Sequence, residues 1–191
     1  MTSRRILVLG ALTVIVAGFA WLLLVTLPAS YRRSRTPAAA VGTPATPAAP
    51  GRKIKAHLFY VADDGTRLTD LERDVAFGEG TVEQARQIIE AQIAPAVEPL
   101  VSAVPVGTRL RTLFVTEHGE AFVDFSGELV TGHSGGSTDE ILTVYTIVDA
   151  LTANLPAVTS VQLLVEGKQI ETLAGHVDLS RPLAKNLSWV Q

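Results

Sequence analysis

The sequence predicts an α+β fold: a small mixed β-sheet packed with two main helices, preceded by one or two strands and by an N-terminal transmembrane helix. Three observations carry this. Residues 6–27 form an uncharged apolar run. Two β-prone runs, Arg109 to Thr116 and Glu120 to Phe125, alternate around His118-Gly119. Apolar residues recur at helical spacing after Gly80 and again after Ser137. Alternation marks strands, and 3.6-residue recurrence marks amphipathic helices. The resulting core order is α-β-β-α-β.

The run from Ile6 to Leu27 has 22 residues, of which only Thr13 and Thr26 are polar. As a helix it rises ~33 Å, enough to cross a bilayer core of ~30 Å. A cleaved signal peptide has a shorter apolar core of ~7–15 residues, so an uncleaved signal anchor is expected. Arg4 and Arg5 flank it on one side, and Arg32, Arg33 and Arg35 on the other. Flanking arginines therefore leave orientation almost balanced. Thr36 to Pro50 holds four prolines among alanine and threonine. Such a segment packs no core and serves as an extended spacer of ~3.1 Å per residue. The composition of this spacer favours an exported domain.

Ile54 to Val61 is β-rich, and Asp63-Asp64-Gly65 is a turn signal. Arg67 to Val75 reads as a second strand in which Leu68 and the Leu71/Val75 register point to opposite faces. Thr81 is the expected N-cap of the first helix, with Val82, Ala85, Ile89 and Ile93 on its apolar face. Pro95 and Pro99 end it. Val104-Pro-Val-Gly-Thr108 is a tight turn into the central hairpin. Ser137 and Glu140 have the spacing of a capping box for the second helix. Ile141, Val144, Tyr145, Val148, Leu151 and Leu155 line one face of that helix, widened by Leu142 and Ile147. Val158 to Val165 is the following strand, and Glu166-Gly167 turns into a short strand near Gln169 to Leu173. The expected organisation is a cytoplasmic N-terminus (1–5), a transmembrane anchor (6–27), a linker (28–53), a folded domain (54–183) and a C-terminal tail (184–191).

Charge and composition exclude several functions. All 19 acidic residues lie at or after Asp63, and from Gly51 onward 11 basic residues face 19 acidic ones, a net −8. Such a domain repels phosphate backbones, so no nucleic-acid partner is expected. The chain has no cysteine. This rules out disulfides, thiolate metal sites, a cysteine nucleophile and a lipid-modified cysteine.

Four pieces occur in a recognisable order: Val104-Pro-Val-Gly-Thr108, Ala121-Phe-Val-Asp-Phe-Ser126, Ser137–Leu155 followed by Pro-x-Val, and Val161-Gln-Leu-Leu-Val-Glu-Gly167. Together with Gly175-His-Val-Asp-Leu-Ser-Arg-Pro182 they resemble the GerMN domain of the sporulation and spore-germination family. The resemblance covers residues 55–183. Its motif residues, expected to shape the fold, are Pro105, Gly107 and Thr108, then Asp124 and Ser126, Ser137 and Glu140, Gly167, and finally Asp178 and Ser180. It implies an exported bacterial domain without known catalytic residues or a cofactor. It also implies a fold similar to the ring-building motifs of secretion machines. The chain departs from the spore germination protein in having one copy where that protein has two, and no lipid-accepting cysteine.

Asp124, Ser126 and His133 together invite a catalytic-triad reading, but no Gly-x-Ser-x-Gly elbow surrounds Ser126. The alternative, adopted here, is that Asp124 and Ser126 tie down a strand end. Gly132 to Ser137 before a helix could bind an anion, yet the expected capping box uses those amides. His57, His118, His133 and His176 show no metal-ligand spacing, so no metal is expected. The functional expectation is a non-enzymatic interaction domain of the envelope. Its partners would be envelope proteins or itself, with the lipid bilayer reached through residues 6–27. A small peptidoglycan hydrolase and a ligand-binding sensory domain are the alternatives.

Overall fold

The computed structural model describes residues 51–191. The expected N-terminus, anchor and linker up to residue 50 lie outside the described residues. The chain opens with strands β1 (Lys53–Val61) and β2 (Leu68–Ala76), followed by helix α1 (Gly80–Ile93). Strands β3 (Leu110–Val115) and β4 (Glu120–Phe125), the short helix α2 (Glu128–Thr131) and the long helix α3 (Ser137–Asn154) come next. Strands β5 (Ser160–Val165), β6 (Lys168–Gln169) and β7 (Leu183–Ala184) precede a 3₁₀ turn at Leu187–Trp189.

The strands form two sheets where one was expected. β3, β4 and β5 make a mixed sheet, antiparallel then parallel, with β6 and β7 both antiparallel to β5. The α3 crossover allows the parallel pairing. β1 and β2 form a separate antiparallel hairpin. The physical reason lies along the outer edge of β1. The Asn154 side chain accepts from His57 N at 2.8 Å and donates to His57 O at 2.8 Å. Gln92 does the same for Phe59, at 2.9 and 2.8 Å. Val61 N then bonds Val101 O at 2.8 Å. Two helix amides and one loop carbonyl thus occupy the groups that a neighbouring strand would pair.

The conflicting register of β2 also resolves. Ala56, Leu58, Tyr60 and Val75 are buried on the hairpin face toward the helices. Leu68 and Phe59 are buried on the opposite face. There the chain end covers Leu68, which bridges Val190 and accepts from Gln191 N at 2.9 Å. At the other end of that face Lys55 pairs with Asp74 and His57 with Asp70.

Both helix starts differ from expectation. α1 begins at Gly80 with Glu79 in the N-cap position, and α3 follows Gly136 with no side-chain cap. Glu140 is drawn away from the helix start to another partner, described below. Gln84, like Gln92, is buried among apolar residues because it serves backbone: it accepts from Gly78 N and donates to Ala76 O. At the β3–β4 turn Gly119 has φ +84°, and a Cβ there would stand 2.7 Å from Ala157 O. Both the conformation and the contact require glycine.

Candidate functional site

The motif residues gather into two clusters, and in neither does a serine hydroxyl hydrogen-bond a histidine. In the first, Pro105, Gly107 and Thr108 form the turn below the hairpin, where Thr108 donates through both N and Oγ1 to Pro105 O. Ser126 N donates to Arg109 O at 3.0 Å, and its Oγ accepts from Arg109 N at 3.0 Å. Asp124 is buried, and its Oδ1 accepts from Gly167 N at 2.8 Å. Arg111 lies against both Asp124 and Glu166, at 3.4 and 3.0 Å. Glu166 and Gly167 both have positive φ, which forms the two-residue turn joining β5 to β6. Glu166 also accepts from Gly127 N at 2.9 Å. Asp124 and Ser126 therefore tie strand ends.

His133 lies elsewhere. Its Nδ1 accepts from Gly135 N at 3.0 Å, and its Nε2 is 3.3 Å from Thr143 Oγ1. The Thr143 hydroxyl donates to Ala103 O at 2.7 Å. That leaves Thr143 Oγ1 to accept, so the His133 proton resides on Nε2. Both ring nitrogens are engaged away from Ser126.

The second cluster straps the C-terminal segment onto α3. Glu140 is fully buried. Its Oε1 accepts from Leu173 N at 2.8 Å, and its Oε2 accepts from His176 N at 2.8 Å and lies 3.1 Å from His176 Nδ1. Burial alone pushes this carboxyl upward, but the N–H groups of Ala174, His176, Leu173 and Val177 outweigh it and hold the pKa below the ordinary value. Ser137, the expected partner of Glu140, is simply the first residue of α3. Two turns further on, Asp149 Oδ1 accepts from Asn186 N at 2.9 Å. Burial pushes Asp149 up to about 6, against the Asn186 N–H and the Lys185 ammonium. Among the described residues, Asp149 Oδ2 and Thr146 Oγ1 are buried without a hydrogen-bond partner. Asp178 accepts from Ser180 N at 2.9 Å and from its hydroxyl, and it pairs with Arg181 at 3.3 Å. Ser180 thus bonds Asp178 itself, unlike Ser126. The similar spelling of the two segments hides two different geometries.

Between the two strapping carboxylates the segment does not close completely over α3. Ile141 and Tyr145, expected in the core, are only partly buried. They form one wall of an open groove of about 570 Å³. His176, Asp178, Arg181, Pro182, Asn186 and Trp189, all from the C-terminal segment, also line it. Sequence periodicity missed this groove because it assigned Ile141 and Tyr145 to the apolar stripe. The buried carboxylates were signalled only by acidic residues inside an otherwise apolar helix.

Among the described residues, no group of three or more acidic or histidine side chains could hold a metal ion, and no helix is long and apolar enough to cross a membrane.

Residues 57–171 match the Germane family model, described as sporulation and spore germination. Among solved structures, a candidate lipoprotein from Clostridium perfringens is 21% identical with a TM-score of 0.51, covering 70% of this chain and 88% of that one. The tandem GerMN domains of the sporulation protein GerM from Bacillus subtilis are 16% identical with a TM-score of 0.54, covering 70% of this chain and 46% of that one. The first GerMN domain alone is 20% identical with a TM-score of 0.51, covering 69% of this chain and 97% of that one. This chain therefore matches one copy of the tandem. At these identities the likeness is one of fold. No curated protein matches the chain.

Proposed function

The chain belongs to the Germane family, and on that premise we propose that it is a non-enzymatic interaction domain held on the extracytoplasmic side of the bacterial envelope by residues 6–27. The observation that carries this reading is how the polar side chains are used. Asp124, Ser126, His133 and Glu140 all hold backbone or neighbouring side chains in place. A serine–histidine pair needs an imidazole within hydrogen-bond reach of Ser126, and the Ser126 hydroxyl meets Arg109 N and the Glu128 carboxylate, which is itself paired with Arg109. The uncharged span of residues 6–27 and the proline-rich tether support membrane attachment. The candidate lipoprotein of Clostridium perfringens, of the same fold, supports an envelope location.

The partners are envelope proteins or further copies of the chain. Tethering raises local concentration, so weak contacts suffice. Two experiments test the reading. Alkaline phosphatase fused after Pro50 is expected to be active, and an inactive fusion overturns the topology. Crosslinking of the full-length protein in intact membranes is expected to give larger species. Their absence, together with turnover of an envelope substrate by the 51–191 fragment, replaces the binding reading with an enzymatic one.

A further inference from the structure

We propose that the groove over α3 binds a neutral oligosaccharide containing N-acetylated hexosamine units. This deepens the reading of an envelope interaction domain and rests on it for where such a chain is met. A volume of about 570 Å³ falls within the range of roughly 300–1,000 Å³ common to ligand sites. The groove is open, which suits a segment of a linear chain.

Charge selects a neutral ligand. Arg181, the guanidinium of the groove, is paired with Asp178 at 3.3 Å. Glu140, beneath His176, is committed to two backbone amides and the imidazole. With Arg181 and Asp178 paired, the groove lining offers no unpaired charge to draw an anionic or a cationic ligand. A polyhydroxyl ligand can join these groups without separating charge, because the guanidinium has five N–H donors and a carboxylate about four acceptor sites.

Shape chemistry selects a sugar. Tyr145 and Trp189 stand on different elements, α3 and the 3₁₀ turn, and both are partly exposed in the groove. Their ring faces offer apolar area for the C–H face of a pyranose, and Oη and Nε1 offer polar edges. Asn186 Oδ1 accepts from Ser188 N, which leaves Nδ2 to donate to a ligand carbonyl. Ile141 and Pro182 supply an apolar patch for a methyl group. An acetamido substituent presents that carbonyl and that methyl together.

The test uses residues 51–191, which lie within one compact unit with its own core. Trp189 is the only tryptophan in this fragment, so its fluorescence reports on the groove directly. The fragment is titrated with tetra-N-acetylchitotetraose, with cellotetraose, and with a proline-rich peptide as a rival occupant of an aromatic groove. Saturable binding of chitotetraose, weaker binding of cellotetraose and none of the peptide are expected. Tyr145→Ala is expected to weaken chitotetraose binding by about tenfold, the upper range for loss of one aromatic contact. Tyr145→Phe, which keeps the ring, should bind nearly as wild type. Arg181→Ala, at a side chain 83% exposed, tests the polar side without disturbing the core and should also weaken binding. No saturable response to chitotetraose, indifference to both Tyr145→Ala and Arg181→Ala, or saturation by the peptide instead overturns the proposal. An active phosphatase fusion without sugar binding overturns this inference alone. Sugar binding with an inactive fusion overturns the envelope reading alone.

Discussion

Replacing Glu140 by alanine removes the acceptor for the buried backbone amide of Leu173 and the part-buried amide of His176, and the partner of the His176 ring. Both amide bonds are 2.8 Å long and end on a carboxylate that is fully buried. Hydrogen bonds to a charged group contribute about 1.5–3 kcal/mol each, and a buried donor left unpaired costs a similar amount. Alanine at position 140 is therefore expected to destabilise the domain by roughly 3–5 kcal/mol, in the range for breaking a buried charged pair. For a domain of this size that lowers Tm by roughly 10–20 °C. Glutamine keeps one acceptor but turns an NH₂ toward the second amide, so about half the loss is expected. Thermal unfolding of residues 51–191 followed by Trp189 fluorescence measures both variants. The sign of the pH dependence provides a second check. Glu140 has a folded pKa below its ordinary 4.5, so its contribution is complete above that value and is lost as pH falls through the folded pKa. The gap between wild type and Glu140→Ala should thus be full at pH 7 and shrink in acid. A loss under about 1 kcal/mol at pH 7, or a gap that widens in acid, refutes the account of a strap anchored by a carboxylate.

Asp149 has the opposite linkage: its folded pKa of about 6 lies above the ordinary 3.8, so it favours folding fully below 3.8 and loses that contribution as pH rises through 6. A difference of about two units corresponds to about 3 kcal/mol, and Asp149→Asn is expected to flatten stability between pH 4 and 7 in urea titrations. Gln92→Leu strips both partners from Phe59 N and O in a buried setting; a loss of about 2–4 kcal/mol is expected, with faster exchange of the Phe59 amide in hydrogen-exchange measurements. Gly119→Ala forces a Cβ to within 2.7 Å of Ala157 O at φ +84°; a loss above about 1 kcal/mol is expected in chemical denaturation, and a neutral result would mean that the turn relaxes at little cost.

The central hairpin, the long helix and the Glu166-Gly167 turn were legible in the sequence because each rests on local chemistry: alternation, 3.6-residue periodicity, and positive φ at a two-residue turn. The division into two sheets was not. It depends on Gln92 and Asn154 reaching the edge of β1 from 33 and 97 residues away. In the sequence these are polar residues on helices, with nothing to distinguish them from solvent-facing positions. Glu140 misled for a related reason. Its spacing from Ser137 fits a local capping box, and a partner 33 residues away at Leu173 prevails. Buried amide donors in that segment lack water, so they compete for the carboxylate more strongly than helix-start amides near solvent. Leu68 and Val75 show the limit of strand alternation. Both are buried on opposite faces of β2 because the helices cover one and the chain end covers the other.

The strap couples the fold to the groove. One wall of the groove belongs to α3, a helix buried through most of its length, and the other to a segment held by side chains of that helix, by pairing of β7 with β5 and by Gln162 at Leu179 O. Glu140 grips the segment at Leu173 and His176, and Asp149 grips it at Asn186. Tyr145 and Trp189 line the same groove from these two elements, so their spacing depends on how the segment is held. Glu140 holds best when charged, above its depressed pKa, whereas Asp149 is most stable when protonated, below about 6. The Asn186 N–H favours the charged form of Asp149, so charging this carboxylate costs the fold desolvation while strengthening the bond that grips the strap. Above pH 6 the Asp149 carboxylate carries a charge with one buried oxygen unpartnered, while its other oxygen holds the backbone of Asn186, a residue of the groove lining. Removing the grip, rather than charging it, should therefore weaken ligand binding at the groove: Asp149→Ala takes the acceptor from Asn186 N, whereas Asp149→Asn keeps one. Fluorescence titration separates the two variants, and equal affinities would show that the Asp149 grip does not govern the groove.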